Sequence, residues 1–305
     1  MNKDKVIQRW TVNQANDNTF SRTIYWLTIP EVQKRYQQKA TKCKYNNWAE
    51  YCLKEFLGDR LPVEKMLSVG CGTGGLERNL ANRGAFVSCD AFDITPASIE
   101  KAKSQAQIMG ISNIFYQVVD VETIDLPVSY YDAVWFNGSL HHIEKLEYVC
   151  IAVAKSLKPN GYLFFNEYIG PSRFDFTDRQ KEVMQSAFAL IPKEYRRCFI
   201  PGYPYEFKQE VSIPNPKKVQ ETDPSEATRS AEILTIVNKH FHVIAKNDLG
   251  GTILHFLLSG IAGNFRSDNP ESIAVLNMLF NIEDTLLELG DINSDFAVVV
   301  AQPKS

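Results

Sequence analysis

Between Lys65 and Glu167, short runs rich in β-branched and aromatic residues alternate with segments whose apolar positions recur at helical spacing. That alternation is the pattern of βαβ units feeding a parallel sheet. The runs MLSV (66–69), FVSCDAF (86–92), IFYQVV (114–119), YDAVWF (131–136) and YLFFNE (162–167) are predicted strands, with helices over 75–83, 96–109 and 146–157. The last helix meets Lys158-Pro159-Asn160-Gly161, where proline stops it and Asn-Gly supplies a turn into the next strand. Ahead of this core, residues 1–62 place Ile24, Trp26, Leu27 and Val32, then Trp48, Tyr51, Cys52 and Phe56, at spacings of short amphipathic helices. After Glu167 the pattern loosens into a Pro-, Tyr- and Phe-rich stretch with one clear helix over 178–190. It tightens again into a helix over 224–240, a strand over 241–247, a helix over 270–289 and a strand over 296–302.

The expected organisation is an N-terminal helical cover (1–62), a Rossmann-like α/β core (63–170), an inserted substrate cap (171–224) and a C-terminal completion of the sheet (225–305). A long excursion inside an α/β protein commonly carries ligand contacts, and the aromatics Phe174, Phe176, Phe199, Tyr203 and Tyr205 suggest a pocket wall there.

Composition narrows the function classes. With 44% hydrophobic and 23% charged residues over 305 positions, the chain is ordinary globular protein. A formal charge of −3 gives no basic footprint for nucleic acid. Six cysteines without a C-x-x-C pair read as reduced thiols in a cytoplasmic protein. No stretch reaches the length of a membrane span, residues 250–263 being short and broken by His255 and Ser259.

The segment Val69-Gly70-Cys71-Gly72-Thr73-Gly74-Gly75 follows a strand and opens a helix, the context in which a glycine loop brings backbone N–H groups to a ligand. Asp93, at the end of the second strand, is placed to accept hydrogen bonds from ribose hydroxyls. Asp90 is a rival, but the alternation of strand side chains keeps it away from the strand tip. Asp120 closes the third strand, placed for an adenine amino group or simply a turn.

Five segments in order carry a resemblance: VGCGTGG (69–75), FDITPASIEKAK (92–103), VVDVE (118–122), YDAVWFNGSLHHIEKLE (131–147) and LKPNGYLFFNEYIG (157–170). Together they resemble the class I S-adenosylmethionine (SAM) dependent methyltransferase family. The resemblance implies a doubly wound, seven-stranded, mostly parallel sheet whose last strand inserts antiparallel. It also implies that Gly70, Gly72 and Gly74 line the methionine portion of SAM, Asp93 the ribose, and Asp120 with Val121 the adenine, with Asn137 beneath the transferable methyl. Ser68 departs from the family, many members of which carry an acidic residue there, so another carboxylate or a water is expected to hold the methionine amino group.

Methyl transfer from a sulfonium is an in-line displacement that asks chiefly for alignment and exclusion of water. A hydroxyl acceptor gains from a general base. His141 and His142, just past the fourth strand, and Glu167 at the end of the fifth, are the catalytic candidates, His142 ahead of His141. The alternative for the pair is structural, one imidazole packing into the fold and the other capping the next helix. Arg173, Arg229 and His255 fall in segments that cover the site. No metal is expected, because adjacent histidines do not easily face one ion. The reading is a SAM-dependent methyltransferase acting on a hydroxyl of a small molecule or carbohydrate. Gly70-x-Gly72-x-x-Gly75 also satisfies the dinucleotide fingerprint of an NAD-dependent oxidoreductase, and a noncatalytic SAM-binding module is the other alternative.

Overall fold

The computed structural model describes residues 1–15 and 23–304. Strands β1 (Val63–Val69), β2 (Phe86–Asp93), β3 (Ile114–Val118), β4 (Tyr131–Asn137), β5 (Leu157–Tyr168), β6 (Phe241–Gly250) and β7 (Phe296–Pro303) form one sheet in the order β3-β2-β1-β4-β5-β7-β6. The pairings of β1 with β2 and β4, of β2 with β3, and of β4 with β5 are parallel. β7 runs antiparallel to both β5 and β6. The expected doubly wound, Rossmann-like architecture is therefore the observed one, with the last strand inserted against the others.

Burial of β4 explains why helices must cover both faces. Residues 131–136 are all buried, and their alternation sends Ala133 and Trp135 to one face and Val134 and Phe136 to the other. On the first face the Trp135 ring lies 5.4 Å from Trp48 and 4.4 Å from Phe164. Trp26, Ile29, Val32, Tyr51 and Cys52 join that core, so the short helices between Trp26 and Leu57 pack onto this face of the sheet. On the second face Leu146, Val149 and Val153 meet Ile233, Ile236 and Val237. Each fully buried Phe, Leu or Val is worth roughly 1.5–3 kcal/mol, so a central strand apolar on both faces ties the two layers together.

Two local expectations are corrected. Leu157 pairs with Tyr131 and Tyr162 with Ala133, so Lys158–Gly161 form a bulge inside β5 and not a turn ahead of it. A side chain at Gly161 would press on Leu157 and on the Tyr131 carbonyl, which is what lets the bulge lie flat. The helix expected over 224–240 begins only at Ile233, after a short turn at Ser230–Glu232. Its first residues are diverted: Arg173 donates to the carbonyls of Pro224 at 2.7 Å and Glu226 at 2.9 Å, and Asp223 Oδ1 accepts from Ser225 N at 2.9 Å. Among the described residues no helix is long and apolar enough to cross a membrane.

Candidate functional site

The glycine loop leaves β1 at its carboxyl end and passes into the helix Gly75–Asn82. Gly70 has φ of 67°, and a side chain there would run into Ser139, whose hydroxyl donates to the Val69 carbonyl at 2.7 Å. The loop after β4 is thus latched onto the end of β1. Asp93 Oδ2 accepts from Gly72 N at 2.9 Å and its Oδ1 from Thr95 N at 2.8 Å, so one carboxylate organises both the glycine loop and the exit of β2.

A cavity of about 300 Å³ opens above these strand ends, lined by Gly70, Gly72, Asp93, Asp120, Val121 and Asn137 among others. Six of the seven expected cofactor residues therefore share one cavity wall. Gly74 does not; it has φ of 77°, caps the following helix and stands against Tyr116 and Arg78. Asp90 pairs instead with Lys65 at 2.8 Å and accepts from the Tyr131 hydroxyl at 2.9 Å, away from the cavity.

The helix Lys3–Ala15 lies over this cavity and contributes Lys3, Val6 and Trp10 to its lining. Lys3 Nζ bonds Asp120 and also lies 3.0 Å from Glu122. The Ser68 hydroxyl bonds the carboxylate of Glu77, which is buried with its second oxygen lacking a partner among the described residues and lies outside the cavity lining. Burial raises the Glu77 carboxyl to about 7, with the Ser68 bond opposing.

A second cavity of about 760 Å³ adjoins the first and shares Trp10, Asn137, Gly138 and His142 with it. Its aromatic walls are Tyr25, Tyr36, Tyr168, Phe174, Phe256 and Phe296. Of the aromatics expected to form a wall, Phe174 does so, while Phe176 packs behind it 5.4 Å from Phe256. Phe199, Tyr203 and Tyr205 lie outside the lining, because the 199–205 stretch runs over the outer surface, Tyr205 being exposed.

His141, His142, Glu167 and Glu226 come together on this wall. Glu167 is fully buried; its Oε1 accepts from Ser139 N and Leu140 N, both at 2.7 Å, and its Oε2 lies 2.7 Å from His141 Nδ1. His142 Nδ1 lies 3.1 Å from Ser225 Oγ, whose proton goes to Asp223 Oδ1 at 2.6 Å. Neither imidazole caps the helix Leu146–Ser156; Glu122 instead accepts from the Glu144 and Lys145 amides just before it. Burial pulls the His141 pKa down, but Glu167, Glu226 and Asp223 outweigh it and leave a net rise. Burial, with His141 next door, drives that of His142 well below its ordinary value.

Arg173 is spent on backbone carbonyls and Arg229 on Glu147 and Glu232 at the surface, so neither reaches the cavity. His255 does line it, with its pKa lowered to about 3 by burial. Glu226, Asp223, Ser225, Trp10, Lys3 and Glu77 carry no motif; Asp-Pro-Ser-Glu reads in sequence as a helix start, and only the fold turns it toward the histidines.

Residues 67–165 match the family model described as a methyltransferase domain. Over 109 residues, 35% of this chain and 44% of the relative, the sequence is 36% identical to a ubiquinone biosynthesis O-methyltransferase of Idiomarina loihiensis. It is 26% identical over 148 residues, 48% of this chain and 57% of the relative, to the protein of that name in Neisseria meningitidis. The chain thus spans about half the length of these relatives. Phosphoethanolamine N-methyltransferase 2 of Haemonchus contortus, solved with SAM, shares the fold at a TM-score of 0.53 and 16% identity, covering 94% of this chain and 59% of that one. The sheet topology, the glycine loop and the domain match together make residues 67–165 a class I SAM-dependent methyltransferase domain.

Proposed function

We propose that this chain transfers a methyl group from SAM to a hydroxyl of a small molecule or carbohydrate. The observation that carries the reading is the meeting of two cavities at Asn137, Gly138 and His142. SAM would occupy the smaller, with Asp93 toward the ribose and Asp120 and Val121 toward the adenine. The acceptor would occupy the larger, its oxygen reaching the methyl carbon through the shared opening. Alignment across that opening supplies most of the catalysis an in-line displacement needs.

His142 is the proton acceptor in this reading. Its Nδ1 is engaged by Ser225, its Nε2 is left for the substrate, and its lowered pKa keeps it unprotonated near neutrality. Glu167 holds His141 and the Ser139–Leu140 amides, so it positions the turn without touching the acceptor. The stretch 171–224 acts as the acceptor cap through Phe174, Val219 and Asp223. Names of relatives that methylate oxygen support a hydroxyl acceptor.

Calorimetric titration of SAM and, separately, NAD into the purified protein tests the cofactor. Micromolar SAM binding without NAD binding is expected; the reverse would sink the reading in favour of an oxidoreductase. Mass-spectrometric screening of phenols, alcohols and sugars then tests turnover, and SAM binding with no product on any acceptor would favour a noncatalytic binding module.

A further inference from the structure

We propose that His141, His142 and Glu226 form a site for one divalent transition-metal ion in the wall of the larger cavity. The proposal rests on reading that cavity as the acceptor site and changes what the imidazoles do there. One ligand atom from each of the three residues falls within 4.8 Å of the others, and all three residues line the cavity. The expectation that neighbouring histidines face apart fails because Leu140–His142 is a tight 3₁₀ turn, which brings the two rings to 4.1 Å between centroids.

Hydrogen bonding fixes which nitrogens are free. Glu167 Oε2 can only accept from His141 Nδ1 if that nitrogen carries the proton. Ser225 Oγ gives its own proton to Asp223, so it too accepts from His142 Nδ1. In the neutral rings these tautomers, assigned from their partners, leave an Nε2 lone pair open on each. A carboxylate or hydroxyl behind Nδ1 is the support that metal-binding imidazoles commonly have, because it orients the ring and raises the basicity of the ligating nitrogen.

Glu226 completes the set. Its carboxylate makes no hydrogen bond among the described residues, and its Oε1 lies 3.7 Å from His141 Nε2, too far to be one. Two imidazoles and one carboxylate suit Zn²⁺, Co²⁺ or Fe²⁺ in preference to Mg²⁺, which favours oxygen ligands. Three protein ligands leave a position open for the acceptor oxygen.

A hydroxyl bound there loses its proton to solvent water more readily. The resulting oxygen attacks the methyl carbon while the carbon–sulfur bond breaks, its electron pair staying on sulfur. Both imidazoles then serve as ligands, and the ion supplies the acidity that a free base would otherwise provide.

The test is titration of the metal-stripped full chain with Co²⁺, read by visible d–d absorption, with elemental analysis after Zn²⁺ dialysis and no SAM present. One ion per chain is expected, with Co²⁺ binding weaker in Glu226→Gln and in His141→Gln by at least the roughly 10- to 100-fold that losing a partner behind a ligand already brings, and no competition by equimolar Mg²⁺. Thermal melts without metal show whether each variant is folded. No stoichiometric ion in the wild-type protein, or undiminished binding in both folded variants, overturns the site. The methyltransferase reading stands or falls separately, on SAM binding and product formation.

Discussion

His141 Nδ1 sits 2.7 Å from Glu167 Oε2, while the other oxygen of that carboxylate holds the Ser139 and Leu140 amides. One buried side chain from the end of β5 therefore fixes both the tautomer of a cavity-facing imidazole and the turn that follows β4. In Glu167→Gln the amide oxygen can keep the two backbone bonds, but its NH₂ then meets His141 Nδ1 and forces the other tautomer. A fall in kcat of about 10- to 100-fold with little change in SAM affinity is expected. Steady-state kinetics beside calorimetry separates the two quantities, and an equal loss of SAM binding would assign Glu167 to the cofactor side.

Asp93 is the acid on which the cofactor assignment rests most directly. Hydrogen bonds to a charged group contribute about 1.5–3 kcal/mol, so Asp93→Ala should weaken SAM binding by roughly 10- to 100-fold. Asp93→Asn, which can still accept from Gly72 N, should lose less. Wild-type SAM affinity in Asp93→Asn, beside a loss in Asp93→Ala, would make the residue a loop organiser only.

The N-terminal helix closes the smaller cavity with Lys3, Val6 and Trp10. Deleting residues 1–10 should speed SAM dissociation by tenfold or more, as seen in stopped-flow displacement. Unchanged dissociation would mean that the helix is not a cover over the bound cofactor.

Glu77 links stability to pH. Burial raises its carboxyl from the ordinary 4.5 to about 7 in the folded chain, so between those values the native state holds a proton that the unfolded state has released. This contribution to stability is full below about pH 4.5 and is lost as pH rises through about 7, at a slope no steeper than about 1.4 kcal/mol per pH unit. Urea unfolding at a series of pH values should show the decline, and Glu77→Gln should flatten it.

Arg35 and Glu283 form a buried pair at 3.0 Å, and Glu283 Oε1 also accepts from Gly251 N and Ile253 N, both at 3.0 Å. Removing one partner strands the other. Arg35→Ala should therefore cost about 3–5 kcal/mol in chemical denaturation. A loss under 1 kcal/mol would mean that water reaches Glu283.

The sheet was legible because strands buried on both faces must be nearly all apolar, and Tyr131–Phe136 has no other reading beside the glycine loop and Asp93. Those features act through the backbone within a few residues of themselves, so local order is enough to reveal them. The bulge at Lys158–Gly161 was hidden because Asn-Gly favours a turn locally, whereas pairing with β4 holds it in the sheet.

What the sequence determined by itself is the βαβ order, the glycine loop, the acid at the end of β2 and the position of the two histidines at a strand end. What only the tertiary structure decided is the company those histidines keep. Glu226, Asp223 and Ser225 lie more than 80 residues further on, and Trp10 more than 120 residues before. They arrive through a turn held by Arg173 and a helix laid across the sheet edge. Contacts between distant segments depend on how whole layers pack, and no local period or spacing carries that information.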